Sequence, residues 1–269
     1  FDREALIGAS ITGWMNNPDV LFDPAILEEG AKIVKETNRE VAKAIGINPA
    51  ARTTCVKPSG NASVLLQTGS GIHAEHSSMY IRNVQMNKES EVTQTIQRIN
   101  PHMVEESVWS AGGTDVVISF PIVPKTGSIF KDELIGVDHL EKVKLAQRHW
   151  VDAGTNEELC ADYGVRHNVS NTIIVDDWDE VERYVFENRH SFAGISFLSA
   201  MGDKDFNQAP NTAVISAEDM VNKYGTAAIF ASGLVVDALN AFDNLWSACA
   251  TSHGMGDDLT LESSDNAMK

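Results

Sequence analysis

Apolar residues recur at helical spacing through Ile26, Leu27, Gly30, Ile33, Val34, Thr37, Val41 and Ile45, which predicts the first clear helix of the chain. Asp23 offers an N-cap, Pro24 fills the first helical position, and Gly46 ends the run. Upstream, Ile7 to Trp14 is apolar but too Gly-rich for a helix. Downstream, Met79 to Gln85 reads as a strand with Tyr80, Arg82 and Val84 on one face, and Glu89 to Ile99 as a helix that stops before Asn100-Pro101. Val116 to Pro121 is a β-branched run bounded by turn residues, the pattern of a buried strand. Asp138-x-x-Glu141 predicts a capping box for a helix through Val143, Ala146, Trp150 and Val151. A strand over Asn171 to Val175, a helix capped at Asp177 and running to Asn188, and a short strand from Ile195 to Ser199 follow. The last long element is a helix from Ser216 to Cys249, broken at Gly225 and Gly233, with a polar tail from Ser252. Helices alternating with single strands predict an α/β fold with crossover connections. Gly112-Gly113-Thr114 and Pro124 to Gly127 read as loop tips within one domain. The expected division is a body over residues 1–250 and an irregular tail over 251–269.

Within this pattern one stretch concentrates chemistry. A β-prone run, Thr53 to Val56, stops at Lys57-Pro58-Ser59-Gly60, and an apolar run restarts at Val64 to Leu66. Proline cannot continue a central strand, and glycine permits close backbone approach to a ligand. From Ser59 to Ser63, hydroxyls, an amide side chain and backbone N–H groups follow one another beside Lys57. Converging N–H groups make an anion-binding concavity, so the turn suits a phosphate. The same residues also fit an ordinary strand–turn–strand corner, and the residues alone leave both readings open.

Composition narrows the classes. The chain has 269 residues, 43% hydrophobic and 22% charged, which is ordinary for a globular protein. A formal net charge of −17 argues against an extended nucleic-acid surface, which needs Lys and Arg. No apolar run approaches a membrane span and no signal-peptide pattern opens the chain, so a cytoplasmic protein is expected. The chain begins with Phe1 rather than methionine, the expectation for a fragment or processed piece.

Cys55, Cys160 and Cys249 lie far apart with no C-x-x-C pair, and reduced thiols are expected. Gly71-Ile72-His73-Ala74-Glu75-His76 lacks a third metal ligand, so His73 reads as a hydrogen-bonded structural histidine, and Cys55 reads as packing. Asp176-Asp177-x-Asp179-Glu180 reads as acidic capping of a helix, and Met201 to Asp205 lacks the calcium-loop pattern. Asn207-Gln208-Ala209-Pro210 is a polar turn with room for a ligand contact. The two glycosylation-type triplets, at Asn61 and Asn168, are read as chance without a secretory signal.

Thr54-Cys55-Val56-Lys57-Pro58-Ser59-Gly60-Asn61-Ala62-Ser63, followed by Ser70-Gly71-Ile72-His73, resembles the TxxKPSGTxS…SPGIH signature of ribonucleotide reductase large chains, in the form most similar to the adenosylcobalamin-dependent, class II enzymes. Ile7 to Gly13, Tyr80 to Val84, Asn168 to Ser170, Ala193 to Leu198 and Gln208 to Pro210 resemble further motifs of that family in the same order, so the likeness extends to about Cys249. The resemblance implies the C-terminal half of a ten-stranded α/β barrel. It assigns Pro58, Ser59, Gly60, Asn61, Ala62 and Ser63 to the phosphate site of a ribonucleotide substrate, with Asn61 standing where threonine is usual. It further implies adenosylcobalamin as cofactor of the intact enzyme, a thioredoxin-like reductant, an N-terminal part of the same enzyme as partner, and no catalytic residue in this stretch. None of Cys55, Cys160 and Cys249 stands in the family's N-x-C-x-E radical-cysteine setting, so the stretch is expected not to turn over alone. A class I large-subunit fragment and a non-catalytic nucleotide-binding or scaffold module built on the same half-barrel are the alternatives.

Overall fold

The computed structural model describes residues 3–201 and 207–214. The expected helix from Ser216 to Cys249, the polar tail, and most of the Met201 to Asp205 loop lie outside these residues. In chain order the elements are β1 (Ala9–Ser10), α1 (Pro18–Leu21), α2 (Pro24–Ile45), β2 (Thr54–Cys55), α3 (Gly60–Leu65), β3 (Tyr80–Asn87), α4 (Glu91–Ile99), β4 (Val104–Glu106) and β5 (Asp115–Ile122). They continue with α5 (Gly136–Ala146), β6 (Ile173–Val175), α6 (Trp178–Glu187), β7 (Phe197–Ser199) and β8 (Asn211–Ala213). These elements divide into two compact units, residues 3–75 with 125–201, and residues 76–124 with 207–214.

The first unit carries the parallel strands. β1 pairs with β2 through Ala9↔Thr54 and Ser10↔Cys55, and β6 pairs with β7 through Ile173↔Phe197 to Val175↔Ser199. Val56 joins the two pairs by a parallel bridge to Val169. Partners thus step along the strands from one pair to the next, the stagger a curved parallel sheet requires. Trp14, Met15, Leu27, Ala31, Val56, Ile72, Leu140, Val143, Val151, Val169 and Ile173 fill the core of this unit.

α2 begins and ends as its sequence dictates. The Asp23 carboxylate accepts from the Ala25 and Ile26 N–H groups at 2.8 and 3.2 Å, and Gly46 closes the helix at φ 76°. The buried line, Leu27, Ala31 and Ala42, runs beside the predicted stripe, leaving Ile26, Ile33, Val41 and Ile45 exposed. The capping-box expectation for α5 is corrected. The helix starts at Gly136 behind extended Ile135, with no side-chain cap, and Asp138 sits inside the first turn. Gly136 takes φ 54°, a conformation open to glycine, so the chain turns into the helix three residues early. Beyond Ala146, α5 continues as a wider π-helical turn over Gln147–Asp152. α6 is capped as expected, Asp177 accepting from Glu180 N–H at 3.0 Å.

The second unit departs from the alternating parallel pattern. Its strands form a four-stranded sheet in the order β4-β5-β3-β8, antiparallel throughout. β3 and β5 pair over their full length, from Tyr80↔Ile122 to Asn87↔Asp115. The Asn207 to Pro210 turn is fastened to this sheet. Asn83 donates from its backbone to Pro210 O at 2.9 Å and from Nδ2 to Ala209 O at 2.7 Å, and the Trp109 indole donates to Asn207 O at 3.0 Å.

Candidate functional site

β2 is held rigidly up to the point where the candidate loop begins. Thr53 Oγ1 donates to Gly154 O at 2.7 Å, Thr54 Oγ1 to Trp150 O at 2.6 Å, and the Trp150 indole to Cys55 O at 3.0 Å. Val56 then exchanges backbone bonds with Asn168 O and Ser170 N at 3.2 and 2.9 Å, which brings the Asn168–Ser170 segment to the loop's base. Lys57 N–H donates to Ser10 Oγ at 3.0 Å, anchoring the other side to the end of β1.

Past Lys57 the chain does not make a corner between two strands, one of the two readings the residues alone leave open. Ser59 adopts the left-handed conformation (φ 56°, ψ 36°), and the residues from Gly60 wind into α3, with Ser63 N–H donating to Ser59 O at 2.8 Å. The apolar run Val64 to Leu66 therefore ends a helix rather than starting a strand, and its three side chains are exposed. A helix start leaves its first N–H groups without intrahelical partners, and no side chain caps this one. Of the six candidate residues, Pro58, Gly60 and Ala62 are exposed and Ser59 is half-buried. Asn61 lies in α3. Ser63 is turned inward, 2% exposed, its hydroxyl donating to Gly60 O at 3.1 Å. A Cβ on Gly60 would meet nothing within 4 Å, so the loop's outer side is open.

The second motif, Ser70 to His73, forms the wall behind the loop. Ser70 Oγ donates to Pro58 O. Gly71, at φ 56°, lies so near Lys57 that a Cβ would stand 2.4 Å from its carbonyl oxygen. The Ile7–Gly13 motif and the residues after it grip this wall in turn. Thr12 Oγ1 donates to Gly69 O and accepts from Gly71 N–H, both at 2.8 Å. Asn16 Oδ1 accepts from Gly69 N–H at 2.6 Å and Thr68 Oγ1 at 3.0 Å, while its Nδ2 donates to the buried Glu75 carboxylate at 2.8 Å. Sequence reasoning missed Thr12 and Asn16 as supports, because their partners lie more than fifty residues away and nothing local signals the contact.

His73 is a hydrogen-bonded histidine, as expected, its Nδ1 donating to Ser70 O at 2.9 Å. It stands edge-on to His139, with ring centroids 6.4 Å apart. Burial and the neighbouring His73 push the His139 imidazole down to about 4, against the opposing bond it donates to Ile72 O at 3.1 Å. Burial raises the thiols of Cys55 and Cys160, with Lys57 pulling the other way at Cys55. A thiol kept protonated is a poor nucleophile and a poor metal ligand. Burial also lowers His167, which donates to Thr54 O at 3.1 Å. Among the described residues no three His, Cys, Asp or Glu come together as a metal-binding group, and no helix is long and apolar enough to cross a membrane.

Comparison with known proteins gives a consistent set of relatives. The chain is 23% identical over 218 residues to the adenosylcobalamin-dependent ribonucleoside-triphosphate reductase of Euglena gracilis, covering 79% of this chain and 28% of that protein. It is 27% identical over 155 residues to a probable adenosylcobalamin-dependent ribonucleoside-triphosphate reductase of Dictyostelium discoideum, covering 56% of this chain and 20% of that protein. Its fold matches part of a crystal structure of a B12-dependent (class II) ribonucleotide reductase with a TM-score of 0.61 and 17% identity, over 81% of this chain and 28% of that one. The chain thus spans under a third of the length of each of these proteins. No protein-family model matches it.

Proposed function

We propose that this chain is part of an adenosylcobalamin-dependent ribonucleoside-triphosphate reductase and that its Lys57 to Ser63 loop receives the phosphates of a ribonucleotide substrate. The observation that carries the reading is the open start of α3. There, backbone N–H groups at Gly60, Asn61 and Ala62 follow a left-handed Ser59 on a loop braced from behind. Uncapped N–H groups and the positive end of the peptide dipoles favour a multiply charged anion. Pro58, Ser59, Gly60, Asn61 and Ala62 line the phosphate site through their backbone groups. Ser63 serves it from within, by closing the first turn of α3 onto Gly60 O.

The staggered parallel strands of the first unit fit the C-terminal portion of a ten-stranded α/β barrel. The remainder of the enzyme supplies the rest of the barrel, the thiyl-radical cysteine and the paired thiols that reduce the ribose 2′ position, and a thioredoxin-like protein re-reduces those thiols in the cytoplasm. Cys55 and Cys160 stand outside the N-x-C-x-E setting of the family's radical cysteine, and Cys249 lies outside the described residues. Cys55 packs against Gly8, where an added Cβ would stand 2.8 Å from its sulfur, and burial raises the thiols of both Cys55 and Cys160. In this reading radical generation belongs to the rest of the enzyme, and this chain binds and orients.

The test is a titration with ribonucleoside di- and triphosphates of the wild-type chain and a Gly60→Asp variant. The site has room for the side chain, and a carboxylate at a helix start favours the helix while repelling phosphate. The variant is expected to fold normally and to bind at least tenfold more weakly. Equal binding by Gly60→Asp, or no binding by the wild-type chain even with the rest of the enzyme supplied in trans, overturns the reading.

A further inference from the structure

The loop that receives phosphate in the reading above makes few bonds of its own, and its position is inherited from its neighbours. Lys57 and Pro58 rest on Ser70 and Gly71 through the Ser70 Oγ bond to Pro58 O and the close approach of Gly71 to the Lys57 carbonyl. The segment Gly69–Gly71 is in turn set by Thr12, whose one hydroxyl takes both roles open to it: it donates to Gly69 O and accepts from Gly71 N–H. Backbone bonds from Gly13 N–H to Gly69 O at 3.0 Å and from Trp14 N–H to Gly71 O at 3.2 Å run in parallel with it. Because a hydroxyl can donate and accept at once, Thr12 Oγ1 ties an acceptor and a donor two residues apart to one point, a constraint on the curvature between them beyond the two main-chain bonds. The curvature at Gly71 decides where Lys57 and Pro58 sit. Trp14 and Met15, fully buried just beyond Thr12, tie this grip to the core.

We infer that Thr12 is a positioning residue for the Lys57–Ser63 loop, acting through Gly71 and Ser70 rather than by touching the bound anion. The inference rests on the phosphate reading for its consequence and on geometry alone for its mechanism, and the experiment separates the two. Amide hydrogen exchange is followed at Gly71 and Ser63 in the wild-type chain and in Thr12→Val, Thr12→Ser and Ser70→Ala, alongside titration with inorganic pyrophosphate. Thr12→Val keeps the shape and removes the hydroxyl. It is expected to speed exchange about tenfold at both Gly71 and Ser63 and to weaken pyrophosphate binding by a similar factor, with Thr12→Ser restoring both. Ser70→Ala, which leaves the Thr12 contacts intact, is expected to speed exchange at Ser63 but not at Gly71. Loss of protection confined to Gly71, with Ser63 and pyrophosphate affinity unchanged, overturns the inference, because Thr12 then only stabilises the wall. If Thr12→Val does not fold, Ser70→Ala decides: Ser63 exchange unchanged in that variant breaks the relay. A wild-type chain that fails to bind pyrophosphate counts against the phosphate reading, and the positioning claim is then judged on Ser63 exchange.

Discussion

Gly154 stands so close to Thr54 that a Cβ on it would lie 1.9 Å from Thr54 Oγ1 and 2.8 Å from Thr54 Cβ. That approach lets the buried Thr54 hydroxyl reach Trp150 O and Thr53 reach Gly154 O, and so docks β2 onto the π-helical turn after α5. The candidate loop begins two residues after β2 ends, and its geometry starts from this contact.

Gly154→Ala is therefore expected to destabilise the chain by about 2–3 kcal/mol, because a buried, branched Thr54 cannot swing away from the new methyl. Thr54→Ala alone loses the hydroxyl bond and costs about 1–2 kcal/mol. In the double variant the overlap with Oγ1 and Cγ2 disappears and only the 2.8 Å approach to the residue 54 Cβ remains, so the combined cost is expected to fall below the sum of the two. Urea unfolding of all four proteins measures this coupling, and strict additivity would show that the close approach carries no strain.

His139 makes stability depend on pH. It is 3% exposed and neutral at pH 7, its pKa lowered from 6.5 to about 4 by burial first and by His73 second. The unfolded chain takes up a proton near pH 6.5 and the folded chain only near 4, so protonation favours unfolding. The stability contributed by the neutral ring is complete above pH 6.5 and is lost progressively as pH falls from 6.5 to 4. About 3 kcal/mol is at stake over that window. His139→Gln, which keeps an N–H donor for Ile72 O but cannot titrate, is expected to flatten this part of the stability-against-pH curve. A variant curve parallel to wild type between pH 4 and 6.5 would assign the acid sensitivity to other groups.

Elements set by local chemistry were legible in the sequence. Asp23-Pro24 and Gly46 bound α2, and Asp177 caps α6, because each stop signal acts within one turn of itself. α3 was not legible. Val64 to Leu66 looks like a strand because it is apolar, yet it is exposed, and the helix depends on a left-handed Ser59 that no local rule demands. The candidate loop itself could be read from its turn residues and its resemblance to a known motif. Its supports could not, since Thr12 and Asn16 meet Gly69 only through the fold. The second unit was misread for a similar reason: β3 and β5 look like any buried strands, and periodicity carries no information on pairing direction.

Asn83 ties three segments of the second unit together, donating to Ala209 O at 2.7 Å while accepting from Ser119 Oγ at 2.9 Å. Asn83→Asp keeps the acceptor and replaces the donor with an oxygen facing a carbonyl. The expected cost is about 2 kcal/mol. It should appear as faster amide exchange at Val214, which donates to Met79 O beside β8, with the α2 amides unchanged. Unaltered protection at Val214 would mean that β8 pairing with β3 is sufficient to hold the turn.

Gln208 presents a sharper test, because its side chain and its backbone pull in opposite directions. Its amide spans two groups, Nε2 donating to Glu106 O at 2.7 Å and Oε1 accepting from Val108 N–H at 2.9 Å, as a neighbouring strand would. To place it there the backbone takes φ 57°, a conformation that costs a non-glycine residue about 1 kcal/mol. Gln208→Ala loses both bonds and keeps the strain, whereas Gln208→Gly loses both bonds and relieves it. The expected order of stability is wild type, then Gln208→Gly, then Gln208→Ala, with about 1 kcal/mol between the two variants, read from amide exchange at Asn83, which donates to Pro210 O in the same turn. Alanine equal to or better than glycine would show that the backbone at this position relaxes once the side chain lets go, leaving the bonds to Glu106 and Val108 as the sole reason for the left-handed turn.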